Sequence, residues 1–531
     1  MKISFSGSLS SAFVALFSVL FCYKLLRTAL SYSNVSLLPL LLCLYIFYEL
    51  YWKRRNLPNG PTPWLVAGNM ASFISGIEID DLLESWRRKF GGIFTVWIGP
   101  IPLVMVCDLD NIKKYFVQNA DVFSNRWRNH VTDTFLGGVN GVVQIDGEKW
   151  REQRRFSLHV LRDFGVGRPL MEEKILQEVS AFSSYLSEQT GPVKMHDPVA
   201  VCVGNIINSM LFGFRYPQGS PEMKSLHEVL DAQSHLVMHP LMGLYIAAPF
   251  TTNIPLVNYK WKLLLELRTK LWAFLETQVE DHKRRFEEGH RVEDDFTFTY
   301  LMEMEKRRVR GEDMGFFNDW QMTMLLLDLF FAGMETTVTT LKWGFLLTTL
   351  HPEVQERVQE ELDLKCTGEF VTLADRPNLP YTQATINEIQ RMANILPINL
   401  PRTTSEEVQI DGYVYPKGTF VIPQISILMQ DESFFPSPTS FNPDRFLSED
   451  GRLLRIDEFI PFSIGKRQCL GESLARAELF LVYANALKKF TFSQPVGRKL
   501  STKRILGLTV SPPEYECIVS PRKIDLNGNE L

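Results

Sequence analysis

The sequence predicts a mainly α fold with small β-sheets, an α+β chain in which one large globular unit follows an N-terminal membrane anchor. Three observations carry this expectation. The leading segment is apolar and closes on a basic cluster, apolar residues recur at helical spacing over most of 109–390, and alternating stretches are confined to 93–107 and 404–424. No Gly/Ser-rich or Pro-rich linker divides the chain after about residue 65, so its 531 residues are read as one catalytic-sized domain rather than several.

Residues 3–23 contain no charged side chain, and 35–52 (VSLLPLLLCLYIFYELYW) carry only Glu49. A spanning helix needs about 20 apolar residues, so the first stretch qualifies and the second falls slightly short. Lys53, Arg54 and Arg55 follow, which by the positive-inside rule keeps the large domain in the cytosol. A secretory signal would need a small-residue cleavage site, and a mitochondrial presequence would be Arg-rich and amphipathic; neither matches. One span and a two-span hairpin both remain open. The domain boundaries expected are an anchor at 1–53, a hinge at 54–69 and the large domain at 70–531.

Within the hinge, LPNGPTPWLVAGN (57–69) has three prolines and Gly60, which exclude helix and central strand. Residues 93–107 read as two strands around Gly99-Pro100. Helices are expected over 263–285 and 351–364, and over 318–350 with Asn318-Asp319 as its start. Turns at Asp411-Gly412 and Lys417-Gly418 suggest hairpins within 404–424, and a last helix is expected over 470–489.

A net charge of −5 argues against a nucleic-acid binder. The seven cysteines (Cys22, Cys43, Cys107, Cys202, Cys366, Cys469 and Cys517) are scattered, odd in number and without CxxC spacing, which excludes a disulfide framework or a zinc site. Only Cys469 sits in a setting made for chemistry. In PFSIGKRQCLGESLARAELF (461–480) a glycine-containing turn leads to Cys469 and helix-forming residues follow at once. Free N–H groups and the dipole of a helix start favour the thiolate. Gly465 permits positive φ, Gly471 leaves room for a planar group, and Arg467 brings a cation suited to that group's acidic substituent.

Phe462-x-x-Gly465-x-Arg467-x-Cys469-x-Gly471 resembles the haem-binding signature of the cytochrome P450 family. Five fixed positions would recur by accident in about one in ten thousand chains of this length. The resemblance implies a cytochrome P450-like fold and haem b with Cys469 as axial thiolate, which favours O–O cleavage. Ala332-Gly333-Met334-Glu335-Thr336-Thr337, at the centre of the long helix, is similar to the family's oxygen-activation motif. Gly333 weakens the helix and Thr336 can bond back to Ala332, opening a groove through which Glu335 and Thr336 would feed protons.

Further resemblances cover residue 57 to the C-terminus. Pro380-Tyr381-x-x-Ala384-x-x-x-Glu388-x-x-Arg391 and Phe441-x-Pro443-x-Arg445-Phe446 imply a buried network of Glu388, Arg391 and Arg445 behind the cysteine loop. The Trp150-x-x-x-Arg154 pair, with Arg402 and Arg467, would grip the haem propionates. Phe331, Ala332, Ile398, Asn399, Leu400 and Leu508 would line an apolar substrate pocket. FSLHVLRDFGVGR (156–168) and NIINSMLFGFRYP (205–217) look like the microsomal family-2-like branch, which implies an endoplasmic reticulum membrane location.

The implied reaction is insertion of one oxygen atom from O2 into a lipophilic xenobiotic, fatty acid or steroid. The chain has no nucleotide-binding Gly-rich loop or flavin domain of its own. Electrons from NADPH would therefore arrive through a separate cytochrome P450 reductase, with cytochrome b5 as a second partner. Lys149, Arg151 and Lys466 are candidates for the docking face, and the apolar stretch 236–250 for contact with membrane lipid. Two rivals are a haem-thiolate isomerase or dehydratase that rearranges peroxides, and a non-catalytic haem- or lipid-binding membrane protein. The Glu335-Thr336-Thr337 run argues against the first.

Overall fold

The computed structural model describes residues 24, 37–73, 75–163, 169–290, 292 and 294–522. The apolar segment expected at 3–23, and 164–168 of the FSLHVLRDFGVGR stretch, lie outside them. The described residues form two compact units, one from the chain up to Asn125 with Leu400–Gln424, the other from Arg126–Asn399 with Ile425 onward.

The first unit is built on a sheet. Ile93–Ile98 and Ile101–Val106 pair antiparallel around Gly99-Pro100, as the sequence predicts. Phe420–Pro423 then joins Ile101–Val106 in parallel and takes Arg402–Thr403 on its other side. This corrects the second expected hairpin: the turn at Lys417-Gly418 returns the chain to Thr404, whose carbonyl accepts from Gly418 N–H at 2.9 Å, rather than to Tyr413–Tyr415. The first hairpin is as expected, with Val408–Ile410 against Tyr413–Tyr415 and positive φ at Asp411 and Gly412. Both faces of these two strands are buried, Phe94, Val96, Val104 and Val106 on one set of positions and Thr95, Trp97, Leu103 and Met105 on the other. Tyr115 and Tyr415 share a hydroxyl–hydroxyl bond of 3.2 Å.

Leu37–Leu50 is a short helix whose Leu40, Leu41, Leu42, Leu44 and Tyr45 form an exposed apolar surface.

In the second unit the Asp319–Leu350 helix is the axis. Asn318 caps it, its side-chain oxygen accepting from Gln321 N–H at 2.9 Å. The helix is apolar on nearly every side, the composition of a helix surrounded by others. It is long and apolar enough to cross a membrane, yet 67% of that window is buried inside the unit, so it is a core helix. His196–Leu211, Tyr259–Glu287, Pro221–Val237, Pro380–Ala393 and Glu472–Lys489 pack on it. A three-stranded antiparallel sheet, with Glu516–Pro521 between Pro192–Lys194 and Phe490–Ser493, closes one side. The expected helices at 263–285 and 351–364 are present as Tyr259–Glu287 and Pro352–Lys365. The last begins at Glu472, two residues later than expected, because Gly471 is its N-cap.

The long helix runs unbroken through its expected interruption. The Thr336 hydroxyl does donate to Ala332 O, at 2.7 Å. Gly333 serves packing: a Cβ there would lie 2.7 Å from Ile207 Cδ1, so the glycine lets the His196–Leu211 helix approach.

Candidate haem-thiolate site

Six of the seven cysteines are described; of these, five are buried and Cys469 alone is exposed. The loop that presents it turns through positive φ at Ser463 (63°) and Gly465 (77°). Cys469 N–H donates to Phe462 O and Gln468 N–H to Gly465 O, both at 3.0 Å, so the loop is a tight backbone turn closed across the residues of the motif. A Cβ on Gly471 would meet no protein atom within 4 Å, which leaves open space beside the cysteine. Although accessible, the thiol is surrounded densely enough that burial pushes its pKa up. The Gly471 N–H, Arg154 and Arg476 pull it down, Glu472 pushes it up, and burial prevails. The helix-start N–H of Gly471 favours the thiolate as expected, but burial outweighs it in the protein by itself. A bound metal ion would deprotonate the thiol.

Cations gather at this loop. The Arg154 guanidinium donates to Gln468 O at 2.7 Å. Arg467 is buried, lies 3.9 Å over the Trp150 ring and donates to Ile145 O at 2.5 Å. Sequence reasoning missed Arg126. It is buried, donates to Val143 O at 3.0 Å, and is pushed down to about 10 by burial and by neighbouring Arg154. Arg126 and Arg467 thus fasten to the same 142–145 segment. The opposing acid on this wall is Asp328, which accepts from Val142 and Val143 N–H at 2.7 and 2.8 Å. Burial raises it to about 6. Several crowded arginines with one weakened acid form a wall that favours an added anion. Arg402 belongs to the first unit, where it is buried with its guanidinium 4.6 Å from the Phe116 ring centre.

The long helix supplies a second signal. Ala332 is exposed and Leu329, Phe331, Gly333 and Thr336 are partly so, although most of this helix is buried. Positions 329, 332, 333 and 336 form one stripe at helical spacing. Glu335 faces elsewhere: it is 1% exposed and its Oε1 accepts from the Thr509 hydroxyl at 2.7 Å. On its far side Thr337 donates to Glu478 Oε2 at 3.1 Å. Ile398, Asn399 and Leu508 are partly exposed in the same unit, and Leu400 partly exposed in the other. Asn399 is also engaged in the fold, accepting from Ile425 N–H at 2.8 Å.

The acid–base network is present and buried. Glu388 Oε2 accepts from Arg391 Nε at 2.7 Å, and Oε1 from Arg391 Nη2 at 2.9 Å, Asn442 N–H at 2.9 Å and Arg445 Nε at 3.0 Å. Arg391 and Arg445 extend to the carbonyls of Met429, Pro438 and Pro436. Phe446 packs at 4.9 Å on Phe459, which leads into the cysteine loop. Among the pairs of like spacing, Glu84–Arg87 and Glu305–Arg308 form, but Glu152 turns from Arg155 to Arg307 at 2.8 Å.

On the outer surface, Arg151, Arg154, Arg155, His159 and Arg162 line a hollow of about 400 Å³ beside Trp150. Lys149 does not line this hollow; its ammonium donates to Val139 O at 2.6 Å and Asn140 Oδ1 at 3.1 Å.

An accessible sulfur donor, an arginine wall and an open stripe in a packed helix fit a planar, acidic, sulfur-ligated cofactor, the arrangement of a haem-thiolate protein. The Cytochrome P450 family model matches residues 58–519. The chain is 35% identical to human cytochrome P450 2J2 over 482 residues, covering 89% of this chain and 93% of that one. It is 36% identical to rabbit cytochrome P450 2B4 (87% and 93% covered) and 34% identical to mouse cytochrome P450 2J5 (95% and 100%). The chain belongs to the cytochrome P450 family. It is a haem-thiolate monooxygenase, an oxidoreductase with haem b held by a thiolate, using O2 and electrons from NADPH. It acts with a redox partner on a lipophilic substrate.

Proposed function

We propose that Cys469 would hold the haem iron through its sulfur and that Trp150, Arg154, Arg402 and Arg467, joined by Arg126, would bind the propionates. The reading is carried by one observation: Cys469 is the accessible thiol of a unit whose other described cysteines are buried. Haem, when bound, supplies the activation of dioxygen. The Cys469 sulfur holds the iron; Phe462, Gly465 and Gly471 shape a flat recess around it. Glu388, Arg391 and Arg445 hold the 429–445 segment behind the loop. Thr336, on the open stripe, orients a proton donor through its hydroxyl, and Glu335 stores the proton behind it. Phe331, Ala332, Ile398, Asn399, Leu400 and Leu508 meet substrate and exclude water; a xenobiotic, a fatty acid and a steroid all suit such a wall.

The electron donor is NADPH–cytochrome P450 reductase, with cytochrome b5 as an auxiliary. Arg151, Arg155 and Arg162 give the cysteine side a cationic surface that complements an acidic partner. Residues 1–53 anchor the chain in the endoplasmic reticulum membrane, 54–69 form the hinge and 70–531 the catalytic domain facing the cytosol. The exposed leucines of Leu37–Leu50 support the anchor, and exposed Phe250, Ile254 and Leu256 support a second lipid contact next to the 236–250 stretch. Reconstitution with reductase tests the reading. NADPH-dependent oxygen uptake with substrate oxygenation is expected; peroxide rearrangement without NADPH would make it an isomerase.

A further inference from the structure

Behind Glu335 lies a buried polar cluster drawn from three other segments. His227, Asp231, Ser234 and His235 share one face of the Pro221–Val237 helix. His196 begins the His196–Leu211 helix. Thr509 comes from the C-terminal part of the chain and joins its hydroxyl to both Glu335 Oε1 (2.7 Å) and Ser234 Oγ (3.2 Å). Glu335 Oε2 has no hydrogen-bond partner among the described residues, and neither nitrogen of His227 has one. These orphaned atoms face each other: His227 Nε2 is 3.9 Å from Glu335 Oε2. The His227 ring is in turn 4.6 Å, centre to centre, from His196, whose Nδ1 is also unpartnered. His227 is 2% exposed, whereas His196 is partly exposed.

Buried polar atoms are nearly always satisfied, so three unpaired nitrogens and a carboxylate oxygen in a row mark a place where ordered water and protons are held. We propose that His227 is a positioning residue that recharges Glu335 with protons taken up near His196. A neutral imidazole can accept a proton at one nitrogen and release the one on the other, so it passes a proton without holding a net charge. One proton enters from the His196 side and one leaves His227 for the Glu335 carboxylate; no electrons move. Burial, with His196 and Lys342 nearby, holds His227 down to about 3, which keeps it neutral. Burial pushes the Glu335 carboxyl up from its ordinary range, which favours proton uptake there. The other charged groups facing the cluster are Asp231 and His235 on the same helix, Lys342 on the long helix, and Asp197 and Glu514 near His196.

The relay rests on Glu335 being the proton store. Infrared spectroscopy of the resting, haem-loaded full chain at about pH 5 isolates the carboxylic-acid carbonyl band of Glu335 as the band lost in Glu335→Gln. After mixing into deuterated buffer, the rate of its isotope shift reads proton access directly. Access should slow about tenfold or more in His227→Gln and also in His196→Gln, whose partly exposed site tolerates the change. An unchanged rate in His196→Gln and in folded His227→Gln would overturn the relay, as would absence of the Glu335 band in the unaltered protein. Failure of the proton-store reading itself shows separately, as unchanged peroxide leakage in Glu335→Gln.

Discussion

Replacing Glu388 by Ala isolates the ion network behind the cysteine loop. Its carboxylate is fully buried and accepts four hydrogen bonds, two from Arg391 and one each from Arg445 and Asn442 N–H. Removing it strands two guanidinium groups that are 1% and 7% exposed. Breaking a buried pair this way costs about 3–5 kcal/mol, because the remaining charges keep their desolvation penalty. At about 2.1 cal/mol/K per residue, a domain of this size loses roughly 1 °C of Tm per kcal/mol. Glu388→Ala should therefore lower the midpoint of the haem-loaded protein by about 3–5 °C in a thermal scan. Glu305→Ala provides the comparison: its partner Arg308 is 71% exposed, and such pairs are worth about 0–1 kcal/mol. If the two variants melt together, the network contributes no more than a surface pair and the reasoning fails.

Thr336→Ala should keep the substrate-induced spectral shift but divert reducing equivalents to peroxide, by about tenfold or more; unchanged coupling would remove Thr336 from proton transfer. Glu478 is pushed up to about 8 by burial, so in the folded state it holds its proton well above its unfolded range. The stability it adds is complete below about pH 4.3 and is lost as pH rises through about 8. Glu478→Gln keeps an acceptor for Thr337 and should flatten that fall in a pH series of denaturant midpoints; an unchanged slope counts against the assignment. Arg151→Glu with Arg155→Glu should raise the KM for reductase, most at low salt, with kcat preserved, as rim charges act on encounter. Salt-independent kinetics identical to the parent would place the docking face elsewhere.

What the sequence made legible was local. The Asp411-Gly412 turn, the Asn318 cap and the tight loop around Gly465 each depend on a few adjacent residues, and each is found where expected. The Glu388 network was legible through its motifs, although spacing alone did not distinguish it from Glu84–Arg87. What decides between them is burial, which three-residue spacing does not encode. Glu152 shows the same limit: Arg155 has the right spacing, but Arg307 from a distant helix takes the carboxylate. Arg126 carried no local pattern, since it joins the arginine wall only after the chain folds back on 142–145. Likewise the parallel pairing of Phe420–Pro423 with Ile101–Val106 and the His227–Glu335 cluster join segments far apart in sequence. Gly333 was legible as an oddity but not as a contact, because its partner Ile207 lies on another helix.

Sulfur ligation is the claim on which the chemistry stands, and the reduced, carbon-monoxide-bound spectrum reads it most directly. The parent protein should show the red-shifted Soret band of a thiolate ligand, and Cys469→Ser should lose it while the other cysteines remain. Retention of that band in Cys469→Ser, or its absence from the haem-loaded parent, would contradict the account.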